Sequence, residues 1–222
     1  MSRLPRWIEY GAFILAFIAG YVNATGLLAF AHQAVSHLSG TATLVGIGLI
    51  TASFSDVLHL VLVLFSFFIG SALSGFLLHN NNLQLGRHYD TALLLEAILL
   101  FLSIYLLTQG SLYGQYIISA ACGLQNAMAT SYSGAIVRTT HLTGIFTDLG
   151  IMLGARARGK VLDKRKLLLF SVIIGGFIIG ASLGSYLYQL LLFNALFIPA
   201  SGCLLLAIVY ARYNQRRQNK PY

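Results

Sequence analysis

Two short stretches of this sequence carry the same polar residues in the same order. Ser36–Gly40 reads SHLSG and Thr140–Gly144 reads THLTG, and an apolar run follows each. Ser and Thr favour the position just before a helix, and Gly lets other groups approach the backbone closely. A helix that begins inside a membrane presents unpaired N–H groups and the positive end of its dipole, which together favour an anion. His37 and His141 would stand beside that site as hydrogen-bond donors.

A structural alternative is that these are capping residues at the membrane surface with interfacial histidines. Capping requires Ser or Thr, but it does not require a His that is repeated in both stretches. The repeated pattern therefore favours a binding site for a small anionic or zwitterionic solute. From these two stretches, the predicted site residues are His37, Ser39, Gly40, His141, Thr143 and Gly144.

Asn23 and Asn126 are the polar residues of two further matching frames, GYVNA and GLQNA, inside long apolar runs. An amide in hydrocarbon needs partners, so each Asn is expected to face the interior of a helix bundle. There it either holds neighbouring helices together or contacts the solute. Both are included in the predicted site, with the two roles left open.

Asp148 and Glu96 are the candidate proton or cation sites. Asp148 is the only carboxylate in the two repeated short segments, where its counterpart is Leu44. A buried acid in a membrane helix is costly and is a functional candidate for that reason. The alternative for Asp148 is a structural ion pair with Arg138 or Arg156. No catalytic motif of a soluble enzyme is found, and we predict no enzyme activity, metal site or cofactor.

Composition sets the class of the protein. Of its 222 residues, 57% are hydrophobic and 9% are charged, whereas soluble domains carry about 25% charged residues. So few charges cannot cover a soluble surface, and a helix needs about 20 apolar residues to cross a bilayer. The sequence therefore predicts an all-α polytopic membrane protein embedded in the lipid bilayer. The net charge of +8 lies in short loops and at the ends, so nucleic acid is not a predicted partner.

Eight helical segments are predicted, and six of them are long enough to span the membrane. The two short segments, 38–54 and 142–155, contain the repeated motifs and either span or re-enter. The longer six are 7–32, 57–79, 90–108, 112–137, 166–188 and 191–212.

The matched motifs keep their order along the chain, which predicts an internal repeat. Residues 7–108 and 112–212 would be two copies of one four-segment unit within a single domain, 1–222. In a further match, FFIGSALSG from Phe67 corresponds to FIIGASLGS from Phe177.

Small residues in this last match are expected to let helices approach closely. They would pack segments three and seven against each other, or join two copies of the chain as a homodimer. The residues concerned are Gly70, Ser74, Gly180 and Gly184.

Lys and Arg predict the orientation, because cytoplasmic loops carry an excess of them. Arg3 and Arg6 precede the first segment, and ten of the fourteen basic residues lie in 156–166 and in the tail 212–220. All three clusters are expected in the cytoplasm, with the chain in a bacterial inner membrane and both termini inside.

The number of crossings is left open by these charges. With eight crossings Arg87 and Arg138 lie outside, whereas re-entrant short segments give six crossings and place both inside. Six crossings would make the two units inverted repeats, and eight would make them parallel; transporters use both kinds.

Nearly the whole chain resembles the YoaK family, a bacterial family of small multi-pass inner-membrane proteins of unknown function. The resemblance rests on GYVNATG, SHLSGTATLVG, GLQNA and TTHLTG, in that order. The family pattern usually has Asp at Asn23, Met-Thr-Gly-Asn at 38–41 and often Tyr at His141. If relatives use the acid for proton coupling, this chain cannot do so at Asn23. The resemblance implies membrane location and a repeat, and it supplies no substrate.

Two functions fit these observations. The first is a small secondary transporter or permease, because repeated units, broken helices and central polar residues suit alternating access. The second is a membrane scaffold or assembly partner that uses the glycine faces for contact and the polar residues to hold helices together.

Overall fold

The computed structural model describes residues 7–30, 35–78, 89–132 and 138–218, and every regular element within them is helical. A 3-10 segment, Leu192–Leu196, joins the last two helices. The predicted all-α class is therefore confirmed. In chain order the helices are α1 (Trp7–Ala29), α2 (Leu38–Thr51), α3 (Phe54–Leu77), α4 (Tyr89–Thr108), α5 (Tyr113–Tyr132), α6 (Leu142–Ala157), α7 (Lys164–Leu191) and α8 (Phe197–Gln218).

Within the described residues, 4 helical stretches are long and apolar enough to cross a membrane, which makes the chain a multi-pass membrane protein. The last stretch runs for 53 residues through α7, the 3-10 segment and α8. Helix α5, which carries Gln115, Gln125 and Asn126, is not among them, and α2 is apolar but shorter. Length and composition therefore leave the six predicted crossings as a proposal. The stretches are Glu9–Ala29, Phe54–Leu77, Tyr89–Thr108 and Lys164–Arg216.

Side-chain caps fix the starts of α3 and α7. The Ser53 hydroxyl accepts a hydrogen bond from Asp56 N, while the Asp56 carboxylate accepts the Ser53 O–H at 2.7 Å. At the other helix the Asp163 carboxylate accepts from the N–H groups of Arg165 and Lys166. Such caps satisfy N–H groups that have no partner inside the helix, so the chain enters both helices at a defined residue.

Helices α1 and α7 run in the same direction and pack with their backbones in contact. Gly176 lies against Phe13 near one end of the crossing, and Gly184 lies against Tyr21 further along both helices. Residue numbers therefore rise together in the two helices. Small residues are needed here because a side chain would occupy the space that the neighbouring backbone fills.

Helices α3 and α5 form a second parallel pair. His59 Nδ1 and the Tyr116 hydroxyl oxygen lie 2.7 Å apart near the start of both helices. Further along, the Ser71 hydroxyl donates to the carbonyl oxygen of Gly123 at 3.0 Å. From the first contact to the second, the residue numbers rise in both helices, so these helices also run in the same direction.

The two parallel pairs use equivalent glycines of the matched motifs. A Cβ atom at Gly20 would overlap the backbone of Phe177, and one at Gly123 would overlap the backbone of Phe67. Gly20 and Gly123 open the GYVNA and GLQNA frames, and Phe67 and Phe177 open the other matched pair. The α1–α7 crossing is thus repeated by the α5–α3 crossing. In both crossings the motif that opens with Gly packs against the motif that opens with Phe.

Helices α4 and α8 run in opposite directions. The Tyr89 ring, at the start of α4, lies 6.1 Å from the Tyr210 ring, near the end of α8. The Phe101 ring lies 5.9 Å from the Phe197 ring, which begins α8. Helix α4 is also antiparallel to α5, because a short turn joins them and Gly114 lies against Leu107.

The short helices α2 and α6 each fold back along the helix that follows them. Gly48, near the end of α2, lies against Val57, near the start of α3. In α6, Ile145 packs in a cluster with Ile173 of α7, while Asp148 lies closer to the start of α7, beside Lys166. No Cα atom of α2 lies within 8 Å of a Cα atom of α6. Both short helices begin at the residue that the motif predicts.

The predicted packing of segments three and seven against each other is wrong. No Cα atom of α3 lies within 8 Å of α7; instead Gly70 lies against Ala120 of α5, and Gly180 lies against Phe17 of α1. The pattern of small residues shows that a helix approaches another closely, but it does not name the partner. A homodimer through these positions would have to displace contacts within the chain.

Candidate functional site

Two equivalent hydrogen bonds anchor the segments that lead into the short helices. The Ser36 hydroxyl donates to Asn23 Oδ1 at 2.7 Å. The Thr140 hydroxyl donates to Asn126 Oδ1 at 3.0 Å. The hydroxyls of Ser36 and Thr140 therefore bond α1 and α5 and do not cap α2 and α6, as the structural alternative would require. Each predicted Asn has a structural partner, and each lies next to the start of a short helix.

The residue that precedes each short helix is a histidine. His37 and His141 are the N-cap residues of α2 and α6, with φ angles of −93° and −94°. A Cβ atom at Gly40 would meet the His37 ring, and one at Gly144 would meet the His141 ring. Each imidazole therefore folds over the first turn of its own helix, and the glycine of the motif leaves room for it.

The start of each short helix keeps backbone N–H groups that precede the first intrahelical hydrogen bond. That bond runs from Thr41 N to His37 O (3.2 Å) in α2 and from Ile145 N to His141 O (3.3 Å) in α6. Neither histidine makes a side-chain capping hydrogen bond. The N-cap side chain thus accepts no hydrogen bond from the first turn of either helix. The positive end of each helix dipole lies beside the imidazole of that residue.

Ser39 and Thr143 occupy the first turn of their helices, and both are exposed at the surface of the chain. Their carbonyl oxygens accept hydrogen bonds from the hydroxyls of Thr43 and Thr147, at 2.9 Å in each helix. The hydroxyls of Thr43 and Thr147 are thus bonded within their own helices. The backbone N–H groups that a solute could bind lie at the helix starts.

The structure gathers the predicted residues into two groups. Each group contains an Asn, a His N-cap and the first turn of a short helix. Helices α1 and α5, which carry Asn23 and Asn126, contact each other, whereas α2 and α6 do not. The two helix starts therefore do not meet through packing of α2 on α6, and a single site shared by both starts remains a proposal.

Comparison with known proteins identifies a family of unknown function. The family model described as "Protein of unknown function (DUF1275)" matches residues 11–209. The chain belongs to the DUF1275 family. No curated protein and no solved structure matches it. The expectation of a family of unknown function is confirmed, and the YoaK name stays a resemblance.

Asp148 of this DUF1275 protein is a half-exposed member of an ion pair. Its Oδ2 atom lies 3.2 Å from Nζ of Lys166, and the side chains are 47% and 32% exposed. The predicted structural partners, Arg138 and Arg156, are not the ones it contacts. The pair joins α6 to the start of α7, where Arg165 also contacts Glu9 of α1 at 3.4 Å.

Glu96, the other predicted acid, is almost completely buried. It is 2% exposed on α4, and its Oε2 atom has no hydrogen-bond partner in the described part of the DUF1275 chain. The Cys203 thiol of α8 lies within hydrogen-bonding reach of the carboxyl group. Among the described residues, no group of three or more His, Cys, Asp or Glu side chains is arranged to hold a metal ion.

A cluster between α3 and α5 was not predicted. His59 lies between the Tyr116 hydroxyl, at 2.7 Å, and Gln115 Oε1, at 3.0 Å. It has no counterpart in the second half of the sequence, where Leu169 stands at the equivalent position of the matched motifs. A search based on repeated residues cannot find it.

Proposed function

We propose that this DUF1275 protein is a small secondary transporter of the bacterial inner membrane. Its solute would be a small anion or zwitterion, held at the starts of α2 and α6. The observation that carries the proposal is the repeated geometry of these starts, each with an Asn-anchored entry, a His N-cap and N–H groups ahead of the first helical bond. The residues assigned to the site are Asn23, His37, Ser39, Gly40, Asn126, His141, Thr143 and Gly144.

The repeat of units 7–108 and 112–212 is part of this proposal. Three relationships support it. The glycine crossings, the Asn–hydroxyl bonds and the histidine N-caps each occur twice, at equivalent positions of the matched motifs. One such match could arise by chance, but the three relationships use different atoms.

The directions of the helices support six crossings. Helices α1 and α7 are parallel, which argues against an arrangement in which only one short helix spans. If both short helices spanned, α4 and α8 would be the fourth and eighth of eight crossings and would have to be parallel. They are antiparallel, as expected if α2 and α6 both re-enter the membrane.

Six crossings make the two units inverted repeats. In several transporter folds, inverted repeats bring discontinuous helices together near the middle of the bilayer, and the helix N-termini there hold anionic groups. One leucine at the start of each short helix packs against the core: Leu38 contacts the cluster that contains Phe67, and Leu142 contacts the one that contains Ile173. The histidine before each of these leucines is exposed at the surface of the chain. Helices α2 and α6 thus have the form that such sites use.

Six crossings also give an orientation that agrees with the basic residues. Arg138, the 156–166 loop and the end of α8 would then share one side, which the positive-inside rule makes cytoplasmic. Both termini follow to the same side. Arg3, Arg6, Arg87 and Lys220, which contributed to the prediction, lie outside the described residues.

Thermal unfolding of the purified full chain tests the site. Inorganic phosphate, sulfate, acetate and glycine would serve as probes, since a ligand that binds only the folded protein raises its stability by about 2.7 kcal/mol at 100 times its Kd. We expect at least one probe to raise Tm. His37→Ala and His141→Ala should each remove most of that shift while leaving Tm without the probe nearly unchanged.

Matched glycines supply the control. A methyl group at Gly144 would displace the His141 ring, whereas a methyl group at Gly150 would meet nothing within 4 Å. Gly144→Ala should therefore weaken the shift, and Gly150→Ala should keep it. Uptake of the stabilising probe into proteoliposomes then tests transport. If no probe stabilises the protein, or if the shift survives both His variants, the transporter proposal fails and the scaffold interpretation is favoured.

A further inference from the structure

Glu96 is a carboxyl group enclosed by the helix bundle. The residue is 2% exposed, and Oε2 has no hydrogen-bond partner among the described residues. Neighbouring residues of α4 on the same buried face are apolar, including Leu93, Ala97 and Leu100. The described ion pairs join Glu9 to Arg165 and Asp148 to Lys166, so neither involves Glu96.

Among the described residues, the titratable side chains that face Glu96 from other helices are two thiols. Cys203 comes from α8 and is within hydrogen-bonding reach of the carboxyl, and Cys122 comes from α5. Both cysteines are free and buried. Neither thiol carries positive charge, so neither compensates a negative charge on the carboxyl.

An ionised carboxylate without a cation or a full set of hydrogen bonds is very unfavourable in an apolar interior, and such a group takes up a proton instead. A neutral acid needs fewer partners than a carboxylate, and its O–H can donate to a sulfur atom such as Cys203 Sγ. The enclosed geometry therefore suits the protonated form of Glu96.

We propose that Glu96 is the binding site for the proton that drives the transport cycle. This inference rests on the proposed function and names its coupling ion. In the enclosed arrangement Glu96 holds the proton. When α4 separates from α8, water reaches the carboxyl and accepts the proton, which leaves a solvated carboxylate and a hydronium ion. The bundle closes over Glu96 again only after a proton is rebound.

Isotope labelling can observe this proton directly, because the chain contains two glutamates, Glu9 and Glu96. Protein made with glutamate labelled at the side-chain carboxyl carbon would give two NMR signals, assigned with Glu9→Gln. Glu9, which lies in the first turn of α1 and pairs with Arg165, is the internal control. We expect the Glu96 signal to have the chemical shift of a protonated carboxyl group at neutral pH.

The coupling is tested by alkylation of Cys122 and Cys203, which become reachable only when the interior opens. Their rate of reaction with N-ethylmaleimide should rise by about tenfold per pH unit from thiol ionisation alone. In the wild type it should rise more steeply, because deprotonation of Glu96 favours the open bundle. Glu96→Gln, which cannot release a proton, should show only the thiol effect.

Two results would overturn the inference. Glu96 could show the chemical shift of a carboxylate at neutral pH, which would mean that it holds no proton there. The wild type and Glu96→Gln could show the same pH dependence of alkylation, which would make Glu96 a neutral packing residue. If Glu96→Gln does not fold, the wild-type NMR spectrum still decides the first point, and Glu96→Met, which also has no proton to release, replaces it in the second. None of these results alters the ligand-induced stabilisation that tests the transport site itself.

Discussion

The hydroxyl of Ser36 donates a buried hydrogen bond to Asn23 Oδ1 at 2.7 Å. This bond joins the interior of α1 to the segment that enters α2, and it fixes where His37 stands. The same relationship joins Asn126 to Thr140 in the second half of the chain. Each predicted Asn thus has a positioning role for the neighbouring His.

A double-mutant cycle measures the energy of this link. Ser36→Ala and Asn23→Ala should each lower the free energy of unfolding, and the two effects should be coupled by about 0.5–1.5 kcal/mol, the usual net value of a hydrogen bond. Thr43→Ala is the control, because its hydroxyl bonds the Ser39 carbonyl within α2 and makes no link to α1. Additive effects of Ser36→Ala and Asn23→Ala would show that the bond is absent in the membrane.

The glycine crossings predict a sharp contrast within one helix. Gly180→Ala places a methyl group on the backbone of Phe17, whereas Gly175→Ala meets nothing within 4 Å. The first substitution should cost about 1–3 kcal/mol through overpacking. The second should be neutral or gain up to about 1 kcal/mol from helix propensity. Chemical denaturation of both variants measures the difference, and equal stabilities would contradict the α1–α7 packing.

Repetition made the starts of the two short helices predictable. The motif placed helix starts at Leu38 and Leu142, because a hydroxyl residue, a His and a Gly before an apolar run are a local signal. The pairing of Asn23 with Ser36 was within reach of the same reasoning, since both belong to motifs that recur with nearly equal spacing.

Packing partners could not be predicted in the same way. The small residues near Gly70 and Gly180 indicate close approach, but the partner depends on the three-dimensional order of the helices. Asp148 pairs with Lys166 instead of Arg156 because α6 folds back on α7. The thiols beside Glu96 come from α5 and α8, and no local pattern relates them to α4.

Asp148→Asn tests whether that acid binds a proton or docks a helix. A half-exposed ion pair contributes at most about 1 kcal/mol, so the variant should lose no more than that in stability. The ligand-induced rise in Tm should persist, because Asp148 lies in the middle of α6 and not at its start. Lys166→Gln should lose at least as much stability, because Lys166 Nζ also lies 5.1 Å from the centre of the Phe170 ring. Loss of ligand binding in Asp148→Asn alone would return Asp148 to the candidate site.

Cysteine labelling from outside intact cells distinguishes six crossings from eight. Gln109 lies in the turn between α4 and α5, which is outside if α2 and α6 re-enter and inside if they span. Gln109 and Val161 are both exposed, and the native Cys122 and Cys203 are buried. A membrane-impermeant maleimide should therefore label Gln109→Cys from outside. Val161→Cys, in the basic loop, should react only after the cells are permeabilised. Protection of both positions would favour eight crossings and parallel repeats, and it would contradict the antiparallel contact between α4 and α8, since a bundle with eight crossings cannot contain it.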